Sequence, residues 1–196
     1  AAEAIAKARA EVAANPGNLD AQLLLGDLLM RAGQIEEAAQ IAGTVAASPA
    51  AGDNADLVQR ALVLLGRTAA EDGDFVAARA TLERLRATPE TPQKAARADD
   101  LSARIARQEQ RARLAEISTL PSREAIAHAR EEVARDPGNA GAQLLLGDLL
   151  RRAGQFEEAR QIAETLATAD DPDLAQRALV LLGRTAADDG SFAAAR

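Results

Sequence analysis

Two glycines seven residues apart recur four times along this chain, as Gly26/Gly33, Gly66/Gly73, Gly147/Gly154 and Gly183/Gly190, and each first glycine is followed twelve residues later by an alanine: Ala38, Ala78, Ala159 or Ala195. A fixed frame of this kind marks a repeat protein, in which each unit buries its apolar face against its neighbours. Glycine inside a helix costs about 1 kcal/mol relative to alanine, so four of them in one frame need a structural reason. The expectation is that Gly26, Gly66, Gly147 and Gly183 sit where a second helix crosses too closely to admit a Cβ, with the four alanines facing them. Gly33, Gly73, Gly154 and Gly190 are then the turn residues that end each first helix in a left-handed conformation. Stacked repeats present extended surfaces to partners and seldom build catalytic pockets.

Composition narrows the choice. Of 196 residues, 47% are apolar, enough to bury a substantial core. They are mostly Ala, Leu, Val and Ile, with three Phe and no Trp or Tyr. Such a chain favours closely packed helices, and no stretch alternates β-branched and polar residues as a strand would. The net charge of −7 is spread along the chain, which argues against nucleic acid, since a basic face would be required and aromatics to stack on bases are scarce. With no cysteine, disulfides, thiolate catalysis and Cys-ligated metal are excluded, and the compartment stays open. No apolar run approaches the roughly 18–20 residues needed to span a bilayer, so membrane insertion is not expected.

Repetition also occurs on a larger scale. Gln22–Leu29 reads QLLLGDLL and recurs at Gln143–Leu150; Gln59–Ala70 reads QRALVLLGRTAA and recurs at Gln176–Ala187. A three-hairpin block is thus duplicated, residues 1–121 forming the first copy and 122–196 a shortened second, within one solenoid covering 1–196. Eleven helical segments are predicted: Ala1–Ala14, Leu19–Arg31, Ile35–Ala47, Ala55–Glu71, Phe75–Ala87, a long Pro92–Ile117, Ser122–Arg135, Ala140–Arg152, Phe156–Ala167, Pro172–Asp188 and a stub from Phe192. Asn15-Pro16-Gly17-Asn18 and Asp136-Pro137-Gly138-Asn139 each stop one helix and cap the next. Thr91 is the expected N-cap of the long helix, with Pro92 in its first turn. Ile35, Phe75, Phe156 and Phe192 open the second helices and are expected to pack beneath them. Both ends fall inside hairpins, which reads as part of a longer array.

These hairpins resemble the tetratricopeptide repeat, a 34-residue helix–turn–helix with the pattern W-x2-L-G-x2-Y, then A-x3-F, then P. Gln22, Leu25-Gly26, Leu29, Ala38, Ala42 and Pro49 stand at its marks. Leu62, Leu65-Gly66, Ala69, Ala78, Leu82 and Pro89 follow in the second unit, Gln143, Leu146-Gly147, Leu150, Ala159 and Ala163 in the third, and Leu179, Leu182-Gly183, Ala186 and Ala195 in the fourth. The aromatic marks carry Gln, Leu or Ala instead, and the first glycines are spaced 40 and then 36 residues apart within the blocks. The resemblance covers nearly the whole chain. It implies an all-α, right-handed superhelical solenoid of antiparallel helical hairpins.

The resemblance also implies that ligands lie in a concave groove lined by the first helices. The positions concerned are Leu23, Asp27, Met30 and Arg31, then Arg60, Val63, Arg67 and Glu71; in the block copy they are Leu144, Asp148, Arg151 and Arg152, then Arg177, Val180, Arg184 and Asp188. The same floor therefore occurs twice, an apolar stripe with an aspartate on one helix and two arginines on the next. Asp27 with Arg67, and Asp148 with Arg184, share a frame position in neighbouring units. They read first as salt bridges fixing the angle between repeats and second as charges gripping a peptide. Arg60 and Arg177 lack an evident partner, which makes them ligand candidates as much as solvated surface. The carboxylate clamp by which some family members hold acidic chaperone C-termini needs Lys and Asn at positions that here carry Leu23, Asp27, Val63 and Leu64. An apolar floor suits an amphipathic helix or an extended apolar segment.

Nothing in the sequence points to catalysis, a metal or another cofactor. His128 is the only histidine and reads as a surface residue, because a metal site needs several convergent ligands. Glu36-Glu37, Glu131-Glu132 and Glu157-Glu158 read as ordinary helix charges. There is no phosphate-binding loop, nucleophile elbow or dinucleotide fingerprint. On the long helix, Leu101, Ile105, Gln108, Ala112 and Ala115 form a narrow apolar stripe, expected to pack on Ser122–Arg135. The alternative is that its extra turns dock another chain. The expected function is a non-enzymatic scaffold that binds another protein or peptide in its groove. The alternatives are self-association through uncapped ends and service as the targeting segment of a larger enzyme.

Overall fold

The computed structural model describes residues 2–52 and 54–190. Among them the chain forms ten α-helices and one short 3-10 turn, with no strand. The helices are α1 (Ala2–Ala14), α2 (Leu19–Arg31), α3 (Ile35–Ala47), α4 (Ala55–Glu71), α5 (Phe75–Arg86), α6 (Lys94–Thr119), α7 (Ser122–Arg135), α8 (Ala140–Arg152), α9 (Phe156–Ala167) and α10 (Pro172–Asp188). The predicted stub from Phe192, and Ala195 with it, lies outside the described residues. All four turn glycines take positive φ, from 70° at Gly190 to 83° at Gly73. Only glycine adopts this conformation without strain. Capping follows the sequence: Asn18, Asn54, Asp74 and Asn139 each accept a hydrogen bond from the backbone N–H three residues on, at 2.9–3.1 Å. Asp171 accepts from the N–H groups of Asp173 and Leu174, with Pro172 at the start of α10.

The chain divides into two compact units, Ala1–Gln110 and Arg111–Arg196. In the first, α1 packs on α2, α2 on α3, α3 on α4 and α4 on α5, and α2 also packs on α4. In the second, α7 to α10 pack in the same way, and α8 packs on α10. These next-but-one contacts are the stacking of successive first helices that a helical repeat requires. Residues at the beginning of α6 complete the first unit: Ala98, Leu101 and Ile105 join Leu62, Leu82 and Leu85 in a buried cluster. Residues at its end complete the second, where Ile117, with Leu114 beside it, packs among Ala125, Ile126 and Ala129. Packing on α7 is thus observed, but the expected stripe is only half right: Ala112 and Ala115 are exposed, and Leu114 and Ile117 turn inward instead.

Thr91 does not cap α6. Its hydroxyl donates to the Gln59 side-chain carbonyl at 2.6 Å, and the helix begins at Lys94. Gln59 is completely buried, and its amide group donates to Thr88 Oγ1 and the Pro89 carbonyl at 3.0 and 2.9 Å. Thr91 thus joins Arg97, which donates to the same oxygen at 3.1 Å, in satisfying a buried amide that would cost about 1–3 kcal/mol if left unpaired. The glutamines at the first mark of the repeat pattern have a related role. Gln22 and Gln143 each donate to the carbonyl of the proline in the preceding turn, Pro16 at 2.7 Å and Pro137 at 2.6 Å.

The mid-helix glycines need a correction. A Cβ on Gly26 would lie 2.7 Å from Leu64 Cδ2, one on Gly66 2.8 Å from Leu101 Cδ2, and one on Gly147 2.6 Å from Leu181 Cδ2. Each leucine belongs to the next first helix, not to the second helix of the same hairpin. The nearest second-helix atoms at Gly26 and Gly147, in Ile41, Ala38 and Ile162, lie at ordinary contact distance. Ala38, Ala78 and Ala159 are nonetheless completely buried, as expected. The glycine is thus a socket for a leucine from the following unit. At Gly183 a Cβ meets nothing within 4 Å, because α10 is the last first helix among the described residues.

This geometry separates equivalent substitutions. Gly26→Leu and Gly147→Leu should each lower the unfolding free energy by about 1–3 kcal/mol through overpacking. Gly183→Leu should leave it unchanged or raise it by up to about 1 kcal/mol through helix propensity. Equal urea-denaturation midpoints for the three variants would refute the leucine socket.

Candidate functional site

The expected groove residues line an open cavity in each unit. In the first, a cavity of about 290 Å³ lies over α2 and α4, with Leu23, Leu24 and Asp27 on one side and Arg60, Val63, Leu64 and Arg67 on the other. Arg97 of α6 joins them. Residues that recur every three or four positions share one helix face, which is why Arg60, Val63, Leu64 and Arg67 converge. In the second unit a cavity of about 360 Å³ is lined by Leu144 and Asp148 of α8 and by Gln176, Arg177, Val180, Leu181 and Arg184 of α10. Leu23 and Leu144 form nearly buried floors. Six expected members are absent from these walls. Met30 is buried in the core of the first unit, and Arg31, Glu71, Arg151, Arg152 and Asp188 are drawn into ion pairs.

The two cavities differ in charge, and the differences follow from single residues. In the first, Arg67 pairs with Asp27 at 3.3 Å, as expected for a bridge between repeats, and Arg31 pairs with the same aspartate at 2.7 Å. Arg60 is not free, contrary to expectation: it pairs with Asp20 at 2.5 Å and lies 4.0 Å from Asp56. Arg97 pairs with Asp56 at 2.8 Å, and Glu71 pairs with Arg104 at 3.5 Å. Every arginine lining this cavity has a carboxylate partner.

In the second cavity the expected pair between Asp148 and Arg184 does not form. Arg151, standing where the first block has Met30, takes Asp148 at 2.8 Å and also pairs with Asp188. Arg152 takes the other oxygen of Asp148 at 2.5 Å. The hydrogen bond that Arg151 donates to Asp148, reinforced by Asp188 against the opposing effect of burial, raises the Arg151 pKa above its ordinary value. Gly141 replaces Asp20, so Arg177 loses the partner that holds Arg60. Arg177 and Arg184 are exposed and, among the described residues, neither has an ion pair. Seven residues apart on α10, they flank Val180 at a separation of about 10.5 Å along the helix.

The sequence reading named most of the floor but missed Leu24, Gln176, Leu181 and Arg97. The first three were within reach of the repeat frame. Arg97 could not be placed without knowing that the start of α6 packs on α4. His128 is exposed and lies 3.3 Å from Glu131. Among the described residues there is no group of three or more His, Cys, Asp or Glu able to hold a metal ion. No described helix is long and apolar enough to cross a membrane.

Two family models, both described as tetratricopeptide repeat, match residues 1–56 and 123–182, together more than half of the chain. No curated protein and no solved structure gives a match.

If Arg151 diverts Asp148 from Arg184, removing it should restore the pairing seen between Asp27 and Arg67. A double-mutant cycle of Asp148→Asn and Arg184→Gln should give a coupling near zero in the parent and about 0.5 kcal/mol in Arg151→Met. The same coupling in both backgrounds would exclude this rewiring.

Proposed function

The chain belongs to the tetratricopeptide repeat family, whose repeats mediate protein–protein interaction, and on that premise we propose that it is a non-enzymatic scaffold gripping a peptide or amphipathic helix over its first helices. The observation that carries this reading is the cavity over α8 and α10, where two unpaired arginines flank an apolar floor of Leu144, Val180 and Leu181. The ligand that fits is an apolar segment with carboxylates on either side. A charge-assisted bond to each arginine fixes its register, and desolvation of the floor supplies most of the affinity. The cavity over α2 and α4 has the same floor with its charges already neutralised, and by itself suits a mainly apolar segment. Neither nucleic acid nor a cofactor enters the reading.

A peptide library selected on the parent should yield sequences with acidic residues flanking an apolar one. These should bind Arg177→Glu/Arg184→Glu at least about tenfold more weakly, a loss of about 1.4 kcal/mol, with an unchanged melting temperature. Undiminished binding would move the ligand off this groove.

One observation supports a second reading, self-association. Leu179 is 57% exposed and Val180 51%, whereas Leu62, the counterpart of Leu179, is 2% exposed beneath α5 and α6. A mass in sedimentation equilibrium that rises with concentration in the parent but not in Leu179→Glu would favour assembly through this face. A constant monomer mass would dismiss it.

A further inference from the structure

The duplicated block also exposes a vacancy elsewhere. In the first unit a cavity of about 400 Å³ opens between α3, the end of α4 and the turn into α5, and none of its lining residues belongs to the groove. Its walls are apolar at Ile35, Ala39, Leu65 and Ala69, and Glu36 and Asp72 stand at its rim. Among the described residues neither carboxylate has an ion pair or a side-chain hydrogen bond. Asp74, also at the rim, is occupied in capping α5.

In the second unit the same frame is filled from within. Arg160 occupies the position of Ala39, and Glu157 and Asp189 occupy those of Glu36 and Asp72. One guanidinium nitrogen of Arg160 donates to Glu157 at 3.4 Å and another to Asp189 at 2.7 Å. The protein thus contains both the acidic socket with an arginine in it and the same socket without one.

We propose that the cavity between α3 and α4 is a docking site for an arginine side chain of a protein partner, whose guanidinium joins Glu36 and Asp72 as that of Arg160 joins Glu157 and Asp189. Arginine suits the site better than lysine, because its planar fork reaches two carboxylates at once. Its methylene stem would cover Ile35 and Leu65, which a compact polar cation would leave wet. The net charge of −7 draws a basic segment toward the protein. The site depends on no residue of the groove, so it stands or falls separately from the groove reading.

The test is an amide NMR titration with an acetylated, amidated pentapeptide carrying one central arginine among alanines, beside matched lysine and glutamine peptides. The arginine peptide should give saturable shifts centred on Ala39 and the turn from Asp72 to Asp74, with weaker effects from lysine and none from glutamine. Affinity should fall about tenfold or more in Glu36→Gln/Asp72→Asn and in Ala39→Arg, whose own guanidinium would occupy the socket. Ala39→Arg is expected to fold, since the second unit carries arginine at this position, and its circular dichroism checks that. An absence of saturable shifts in the parent, shifts scattered over the acidic surface, or undiminished binding by Ala39→Arg would each overturn the proposal.

Discussion

A leucine seated on a glycine joins successive first helices, and the remainder of each unit is arranged around that contact. Leu64 over Gly26, Leu101 over Gly66 and Leu181 over Gly147 bring neighbouring first helices close enough that a side chain on the glycine would collide with the leucine. A glycine in a helix sacrifices about 1 kcal/mol of propensity. Burial of a leucine contributes about 1.5–3 kcal/mol, so the exchange favours the close approach. Once first helices are this near, the second helices are carried to the other side, and the residues three before and one after the glycine are left lining a cavity.

The same contact explains how two nearly identical sequences come to have different electrostatics. Asp27 and Arg67 are 40 residues apart in sequence yet meet across stacked helices. Their counterparts are placed in the same frame, but Arg151 competes for the aspartate and wins, because it is three residues away on the same helix and also reaches Asp188. Exchange of Met30 for Arg151 and of Asp20 for Gly141 leaves Arg177 and Arg184 without an ion pair among the described residues. Two nearly identical sequences thus carry two surfaces of distinct charge. Ala39 and Arg160 illustrate the same principle in the opposite sense, the first block being the one left with unpaired charges.

The legible part of the fold was that written in short-range pattern. Gly33, Gly73, Gly154 and Gly190, the Asn and Asp caps and the three-and-four spacing of leucines act within a turn or two of helix, so their meaning survives without the rest of the chain. The apolar floor at Leu23, Val63, Leu144 and Val180 was legible for the same reason, because it is fixed by helical period. Most of the misread features involve a distant partner. Thr91 has the sequence context of an N-cap, but its hydroxyl goes to Gln59; Arg60 has no partner on its own helix as close as Asp20 of α2; and Gly26 faces Leu64 of the next first helix, not the second helix of its own hairpin.

Sequence alone therefore determined the helical hairpins, their order, the repeat frame and which faces are apolar, since backbone propensity, capping and helical period are local properties. Tertiary structure alone decided which residue fills each glycine socket, which arginines are neutralised and which cavities remain open. Those outcomes depend on side chains 34 to 40 residues apart competing for the same few ångströms, and a competition of that kind is settled only when the helices have packed.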